Sequence, residues 1–270
     1  IKKQKREHMK TLAFYNLKGG VGKTAAAVNF AYLAAADGIK TLVWDLDPQG
    51  SSSFYLHVKN DKNESEKIFL DKTDIKNSIQ QSPFENLYVI PADISARNVD
   101  LVLDDVRQSK KKIKSLLSGL KDFDLVILDC PPGISLLHDS VFTASDFVIM
   151  PNIPTTLSIR SYEMVAAYFK ENDLDKSKLK CFFSMVDHRK TLHQETIQTF
   201  YNNRLFFKSY IPNLSDVEKM GIHQQPLFEF ANTSYAAQCF RDLWKEINSE
   251  MLTSPTPSPY VKQKASSSLT

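Results

Sequence analysis

Short apolar runs that favour β-strands alternate along the chain with segments of helical periodicity. The runs at 124–129 (DLVILD) and 146–151 (DFVIMP) are apolar throughout rather than at alternate positions. Such runs are typical of parallel strands that are covered on both faces. We predict strands at 11–16, 40–46, 86–90, 124–129, 146–151, 179–185 and 207–211. Their alternation with helices predicts an α/β fold with one doubly wound, mostly parallel sheet flanked by helices.

Helices are predicted at 24–36, 161–171, 191–204 and 234–249. The first is rich in alanine and ends at Asp37-Gly38, a common stop signal. In the last, apolar residues recur at helical spacing and predict one buried face, made of Ala236, Ala237, Phe240, Leu243, Trp244 and Ile247. The polar stretch 57–82 predicts a surface segment with a short helix. The lysine-rich run at 110–114 is better explained as a solvated helix face than as a DNA-binding patch.

The composition is that of a soluble globular protein, with 42% hydrophobic and 24% charged residues. A net charge of +3 is too small to indicate a nucleic-acid partner, but it is compatible with one. Three scattered cysteines fit a reduced, cytoplasmic protein. We expect residues 1–8 to be a tag or a native flexible arm, 9–252 to be a single domain, and the Pro/Ser-rich tail at 253–270 to be disordered.

A glycine-rich loop follows the first predicted strand and precedes the first predicted helix, the order that a phosphate-binding loop requires. In NLKGGVGKT (16–24), three glycines let successive backbone N–H groups face one anion. Lys23 is predicted to reach the β- and γ-phosphates, and the Thr24 hydroxyl to bind Mg²⁺. The common pattern GxxxxGK[ST] has glycine where this chain has Leu17, but the rest of the spacing is intact. The loop also holds an additional lysine, Lys18.

Carboxylates follow two later strands. Asp45 and Asp47 lie in VWDLDPQGS, and Asp129 ends the run VILD. An acidic residue at a strand end beside a phosphate loop is the usual outer partner of Mg²⁺. Three of them near one such loop predict a site for a nucleotide and a metal ion.

Together, KGGVGKT (18–24), DLDPQGS (45–51) and DCPPG (129–133) resemble the ParA/MinD family of deviant Walker ATPases. NLYVIPAD (86–93), SMVDHRK (184–190) and the stretch at 211–230 resemble further segments of that family. The resemblance covers residues 9–250 and is closest to ParA-like, Soj-type members. It implies a P-loop NTPase fold.

The resemblance also implies residue roles. In this family the early lysine, here Lys18, reaches across a nucleotide-sandwich homodimer to the partner's ATP. Lys18, Lys23 and Asp47 would be catalytic, with Asp47 orienting the attacking water. Thr24, Asp45 and Asp129 would serve Mg²⁺. Pro131, Pro132 and Gly133 would form a switch loop beside the γ-phosphate. The loop residues expected to bind ATP are Lys18, Gly19, Gly20, Val21, Gly22, Lys23, Thr24 and Ala25.

The base of ATP is expected between two segments. Met185 and Asp187 would lie on one side of it, and Ile211, Pro212 and Asn213 on the other. Core packing explains Met185 equally well. ParA-like members bind double-stranded DNA without sequence preference, through phosphate contacts. For each candidate taken singly, a solvated surface cation is the better interpretation. As a set, the DNA candidates are Arg189, Lys190, Arg204, Lys208, Lys219, Arg241 and Lys245.

The resemblance therefore implies a cytoplasmic, nucleoid-associated ATPase that positions a cargo. The cargo would be a plasmid, a chromosome origin or a protein organelle, and a ParB-like adaptor would stimulate hydrolysis. One alternative is a MinD-like membrane-associated ATPase, although no basic amphipathic helix is visible in the tail. A second alternative is an ATP-locked scaffold dimer with negligible turnover.

Overall fold

A computed structural model of the chain describes residues 9–59 and 64–252. The segments at 1–8 and 253–270, which we expect to be an arm and a tail, lie outside the described residues. The central sheet has the strand order β3-β4-β2-β5-β1-β6-β7. All neighbouring pairs are parallel except β3 with β4. The strands are β1 (Lys10–Phe14), β2 (Thr41–Asp45), β3 (Gln80–Gln81), β4 (Leu87–Ile90), β5 (Leu125–Asp129), β6 (Phe147–Asn152) and β7 (Leu179–Phe183).

Helices cover both faces of this sheet, which confirms the doubly wound α/β class. The α-helices are α1 (Lys23–Ala36), α2 (Ser51–Tyr55), α3 (Ser65–Phe69), α4 (Val99–Asp105), α5 (Lys112–Leu117), α6 (Leu136–Ala144), α7 (Thr156–Glu171), α8 (Thr191–Phe200), α9 (Ser215–Glu218), α10 (Met220–His223), α11 (Leu227–Phe230) and α12 (Tyr235–Ile247). Short 3-10 turns lie at Ile75–Ser78, Ile94–Asn98, Ser109–Lys111 and Lys176–Lys178. A π-helical turn, Asn248–Leu252, follows α12.

Two apolar clusters form the core, one on each face of the sheet. Successive strand residues point to opposite faces, so Leu12 and Phe14 pack in one cluster while Ala13 and Tyr15 pack in the other. The first cluster contains α1 and α12, and the second contains α6 and α7. Because both faces are buried, each strand needs apolar residues at every position, as the continuous runs predicted.

The helix α12 confirms the apolar face that its spacing predicts, since all six predicted residues are buried. Its N-cap Ser234 accepts a hydrogen bond from the N–H of Ala237 at 3.1 Å, which satisfies one of the free N–H groups of the first turn. The helix α1 is buried on most sides, and Gly38 follows it with a φ of 77°. A left-handed residue there ends the helix as the Asp37-Gly38 pair predicts.

The strand prediction at 207–211 is wrong. This segment runs beside β7 but meets that part of the chain at isolated bridges only, Cys181 with Phe206 and Val186 with Pro212. Between them, the N–H groups of Lys208 and Ser209 donate to the Glu246 carboxylate of α12, at 2.8 and 2.7 Å. Because those donors are used by a helix side chain, a continuous strand ladder cannot form.

Two surface segments were also predicted from their polar composition. The stretch at 57–82, apart from 60–63, contains the predicted short helix as α3, together with a 3-10 turn and β3. In the lysine run, Lys110, Lys111 and Lys114 are exposed as predicted. Lys112 is not, because it is buried and pairs with Asp71 at 2.6 Å.

Candidate functional site

The phosphate loop lies at the carboxyl end of β1, between β5 and β6. This place is the topological switch point of the sheet, because the chain leaves β1 toward β2 on one side and later adds β6 on the other side. Doubly wound proteins bind their ligands at such a point. Gly20 and Gly22 have φ values of 71° and 92°. L-residues with side chains rarely adopt such values, so the curl of the loop depends on these glycines. Gly22 is also the N-cap of α1, whose free N–H groups point into the loop.

Asn16 fixes the entry to this loop, a role that the sequence did not reveal. Its side chain is fully buried. The amide Nδ2 donates to the Pro151 carbonyl at 2.8 Å, and Oδ1 accepts from the Lys18 N–H at 3.0 Å. At the other end of the loop, the Ser184 hydroxyl donates to the Val21 carbonyl at 2.9 Å. The carboxyl ends of β6 and β7 thus hold the beginning and the later part of the loop.

The two loop lysines differ in their surroundings. Lys23 is buried, and its ammonium donates to the Lys18 carbonyl at 2.9 Å. Burial lowers the pKa of Lys23, while the negative charges of Asp129 and Asp47 oppose that change. Lys18 is half-buried, and within residues 9–59 and 64–252 its ammonium has no hydrogen bond or ion pair. One cation is therefore held inside the loop, and the other is available at its rim.

Two carboxylates lie beside the loop at the ends of adjacent strands. Asp45 and Asp129 are register partners in β2 and β5 and are buried. Ser53 donates to Asp45 Oδ2 through both N–H (2.9 Å) and hydroxyl (2.7 Å), and the Ser52 hydroxyl donates to Asp129 Oδ2 at 2.5 Å. The serines at the start of α2 therefore hold both acids. They directly follow the quoted DLDPQGS segment (45–51), and nothing in its spacing indicated this contact.

Burial raises the pKa of both carboxyls. Each acid then feels neighbouring negative charge, Asp129 in the case of Asp45 and Asp47 in the case of Asp129. Hydrogen bonds from Ser53 oppose the shift at Asp45. The opposing groups at Asp129 are Ser52, Thr24 and the Lys23 ammonium. Two buried acids facing each other are a suitable environment for a divalent cation, which would compensate their charge.

One carboxylate oxygen of the pair Asp45 and Asp129 lacks a partner. Among the described residues, Asp129 Oδ1 is buried and has no hydrogen-bond partner. An orphaned buried carboxylate oxygen is costly unless a water or an ion completes it. In the same part of the chain, no group of three or more His, Cys, Asp or Glu residues could enclose a metal ion. Mg²⁺ keeps several waters and uses one or two carboxylates together with phosphates, so the pair Asp45 and Asp129 suits it.

Asp47 lies just beyond β2 and is only partly buried. Its Oδ1 accepts from the Gln49 N–H at 3.0 Å, and its own N–H donates to Asp45 at 3.2 Å. Its charge acts on both Lys23 and Asp129. The structure therefore brings Lys23, Thr24, Asp45, Asp47 and Asp129 to one edge of the sheet.

A small cavity opens beside Gly22 and Ala25 at the start of α1. Most of the predicted base-side residues line it: Met185, Ile211, Pro212 and Asn213. Asp187 is not among the lining residues, because its carboxylate binds Arg189 through Nε at 2.9 Å and Nη2 at 3.0 Å. Residues that the sequence did not indicate also line it, namely Ser184, Leu214, Val217, Glu218 and Phe240.

Met185 has a strained backbone at the wall of this cavity, with a φ of 51°. Such a conformation is uncommon for a residue with a side chain. It is held by two backbone hydrogen bonds on the next residue, Val186 N–H to the Ile211 carbonyl (3.1 Å) and Asn213 N–H to the Val186 carbonyl (2.9 Å). Backbone strain of this kind concentrates at ligand sites.

The basic residues predicted for DNA are spread over the carboxyl-terminal half. Carboxylates already pair with three of them, in the pairs Arg189–Asp187, Lys219–Asp216 and Lys245–Asp242. Arg241 lies over the Phe228 ring and donates to the Asn232 carbonyl. Lys208 lies over the Tyr201 ring at 4.1 Å. Among the described residues, Lys190 and Arg204 are exposed and have no ion pair.

A glycine loop joining a central parallel strand to a buried helix, beside strand-end carboxylates, defines the class of P-loop nucleoside triphosphatases. A family model described as an AAA domain matches residues 9–180. The chain is 31% identical to the chromosome-partitioning ATPase Soj of Treponema pallidum over 239 residues, 85% of this chain and 91% of that one. It belongs to this family, as a ParA/MinD ATPase of the Soj type.

A second relative agrees with this family, and a solved structure agrees with the fold. The sporulation initiation inhibitor protein Soj of Bacillus subtilis is 29% identical over 247 residues, 88% of this chain and 98% of that protein. A putative plasmid partition protein of Borrelia burgdorferi bound to AMPPNP superimposes with a TM-score of 0.81 at 18% identity, covering 90% of this chain and 100% of that one. No helix among the described residues is long and apolar enough to cross a bilayer.

Proposed function

We propose that this ATPase forms an ATP-sandwich homodimer, binds DNA without sequence preference and uses partner-stimulated hydrolysis to position a cargo. The observation that carries the proposal is the state of Lys18. Its backbone is fixed on both sides, by Asn16 through its N–H and by Lys23 through its carbonyl. Its ammonium, at the rim of the loop, has no partner among the described residues. A fixed backbone with a free cation suits a group that acts on a second copy.

The Lys18 ammonium of the partner subunit would stabilise the transition state of ATP hydrolysis. Negative charge accumulates on the phosphate oxygens and the bridging oxygen as the bond to the γ-phosphate breaks, and a positive group supplied from outside stabilises it. Lys23 would contact the phosphates within its own subunit, and Lys18 would reach those of the partner. Dimerisation and bound ATP would then depend on each other.

The three acids at the strand ends, Asp45, Asp47 and Asp129, would hold Mg²⁺ and the attacking water. Thr24, Asp45 and Asp129 would hold the ion, directly or through its waters, and the bound ion would neutralise developing phosphate charge. The Asp129 Oδ1 atom, which lacks a protein partner among the described residues, supports that assignment. Asp47 would orient the water, because it stands beyond the strand end and is less buried than the other two acids.

The base of ATP would occupy the cavity beside Ala25, between Met185 and the segment at 211–213. Its apolar walls and few polar groups resemble those of other nucleotide and cofactor pockets. Asp187 would then act indirectly, by holding Arg189, rather than as a wall.

DNA binding and cargo transport are supported by relatives rather than by a single contact. Two relatives are named for partition, the Treponema Soj and the Borrelia plasmid protein. The basic residues of the carboxyl-terminal half would contact DNA phosphates in the dimer, and an adaptor of the ParB type would stimulate hydrolysis. The expected location is the cytoplasm, on the nucleoid.

Lys18→Ala tests the dimer. We expect the variant to bind ATP within about threefold of the wild-type affinity, since Lys23 and the loop backbone remain. It should fail to dimerise with a nonhydrolysable ATP analogue, as measured by light scattering. Lys121→Ala is the matched control, because Lys121 is an exposed lysine beside the amino end of β5. Normal ATP-dependent dimerisation and turnover in Lys18→Ala would refute the proposal. Co-sedimentation with anionic liposomes but not with DNA would favour the membrane alternative.

A further inference from the structure

The loop Pro131–Ser135, which follows β5, rests on two buried side chains that no motif indicated. Tyr15 is the residue after β1, and His138 lies in the first turn of α6. Tyr15 is fully buried and His138 is 2% exposed. The polar atoms of both side chains form hydrogen bonds with this loop.

Tyr15 ties the middle of the loop to the phosphate-binding loop. Its hydroxyl donates to the Gly133 carbonyl at 2.8 Å, and the Gly133 N–H donates to the Leu17 carbonyl at 3.2 Å. Tyr15 and Leu17 flank Asn16, which anchors the phosphate loop. Both backbone polar groups of Gly133 are therefore bonded to the junction between β1 and the phosphate loop. Gly133 also has a φ of 106°, so few other residues could follow this path.

His138 joins the two ends of the same loop. Its Nε2 is 3.0 Å from the Pro131 carbonyl, and its Nδ1 is 2.9 Å from the Ser135 hydroxyl. A carbonyl oxygen only accepts, so Nε2 carries the proton and donates it. In the neutral ring Nδ1 then accepts from the Ser135 hydroxyl. Ser135 is the N-cap of α6, yet its side chain caps no N–H of that helix.

Packing makes these hydrogen bonds hard to replace. The Tyr15 ring lies 5.0 Å from the His138 ring and 4.9 Å from the Phe142 ring, measured between centroids. Burial lowers the pKa of His138 and raises that of Tyr15, so both are neutral near pH 7. A buried hydroxyl or imidazole without a partner is costly. The observed loop conformation satisfies both groups, and another conformation would leave them unpaired.

We propose that Tyr15 and His138 are positioning residues for ATP hydrolysis, because they hold the Gly133 backbone at a fixed place beside the phosphate loop. This inference rests on the proposed role of the loop Pro131–Gly133 next to the γ-phosphate. It goes further in stating that two side chains outside the three motifs set the rate of hydrolysis without contacting ATP. Their loss lowers the fraction of molecules with Gly133 correctly placed, while the groups that bind ATP are unchanged.

The first experiment compares Tyr15→Phe with Tyr168→Phe. Tyr15→Phe keeps the ring packing and removes the bond to Gly133. Tyr168 donates to Asp139 of α6 and packs on the same Phe142, but it does not contact the loop. We expect kcat of Tyr15→Phe to fall about 3- to 10-fold with KM within about twofold of wild type. Tyr168→Phe should keep the wild-type kcat. An unchanged kcat in Tyr15→Phe, or an equal fall in both variants, would overturn the proposal.

The second experiment separates the two bonds of His138. The side-chain nitrogen of glutamine can replace Nε2 and still donate to Pro131, whereas asparagine reaches only the position of Nδ1. We expect His138→Gln to keep kcat within about twofold and His138→Asn to lose about 3- to 10-fold, with KM unchanged in both. If the two variants have equal kcat, the bond to Pro131 does not position the loop and this part of the proposal is wrong. Thermal unfolding of each variant reports whether it is folded.

The same variants distinguish this inference from the dimer proposal. Light scattering with a nonhydrolysable ATP analogue should give normal dimers for Tyr15→Phe, so that its slow turnover is not a loss of assembly. Slow turnover with intact dimers supports the positioning role. Slow turnover that is explained fully by lost dimers would overturn it. Failure of Lys18→Ala to lose dimers would contradict the sandwich while leaving the Tyr15 result to stand by itself.

Discussion

Asp45 and Asp129 face each other as register partners at the carboxyl ends of β2 and β5, both buried. Burial raises the pKa of each, and their mutual repulsion adds to the effect at Asp45. Hydrogen bonds from Ser52 and Ser53 compensate part of the cost. The protein thus maintains a local charge arrangement that disfavours the ligand-free state, as is common where stability is traded for function.

Asp129→Asn should stabilise the free protein. The change removes one of the two facing charges, and the amide can still bond to Ser52. We expect the free energy of unfolding at pH 8 to rise by about 1 to 3 kcal/mol without nucleotide or metal. The stabilisation that ATP and Mg²⁺ add to the wild type should be lost. Thermal unfolding with and without both ligands measures this, and a destabilised free protein would contradict it.

Lys23→Ala should abolish nucleotide binding. The variant loses the ammonium that is held in the loop by its bond to the Lys18 carbonyl. A ligand present at 100 times its dissociation constant stabilises a protein by about 2.7 kcal/mol, and this increment should disappear. The measurement is the shift of the unfolding midpoint on addition of ATP. Lys121→Ala is the control and should keep the full shift.

Substitutions at Met185 should show an unusual order of stability. Alanine, like methionine, is strained at a φ of 51°, whereas glycine adopts it readily. Both variants lose the same side-chain contacts beyond Cβ. We therefore expect Met185→Gly to be more stable than Met185→Ala by about 1 kcal/mol. Denaturant unfolding of the two variants measures the difference, and greater stability of the alanine variant would show that the backbone is not strained.

The pairing of surface cations predicts which of them matter for DNA. Lys219 and Lys245 are already neutralised by Asp216 and Asp242, whereas Lys190 and Arg204 have no ion pair among the described residues. If the ATP-bound dimer binds DNA, Lys190→Ala and Arg204→Ala should each reduce the slope of log affinity against log salt by about 1. Lys219→Ala and Lys245→Ala should change it less. Equal effects in all four variants would show that ion pairing does not select the contacts.

His138 should make stability depend on pH. Burial lowers its pKa below the unfolded value of about 6.5. Between the two values the unfolded state binds more protons, so stability rises with pH and is lost as the pH falls below about 6.5. Unfolding measured from pH 7.5 to 5 should show a shallower decline in His138→Gln than in wild type. His193, whose pKa is also lowered, is unchanged in that variant, so the difference reports His138 alone.

Much of the fold was predictable because it depends on local patterns. The strands that end at Asp45 and Asp129 are apolar at consecutive positions, as strands buried on both faces of a sheet must be. The helix α12 has one continuous apolar stripe. The strand prediction at 207–211 failed because a side chain 37 or 38 residues away, Glu246, takes the N–H groups that a strand would need. No local pattern contains that information.

The sequence by itself determined the phosphate loop, the six parallel strands and the acids at the strand ends. Those features follow from residue type and spacing along the chain, and the chemistry of phosphate binding restricts them closely. Only the tertiary structure decided that Ser52 and Ser53 hold the acids, that Asp187 turns to Arg189, and that Tyr15 and His138 support Gly133. The contacts of Ser52 with Asp129 and of Tyr15 with Gly133 join residues that packing brings together, and a hydrogen bond depends on distance and direction in space.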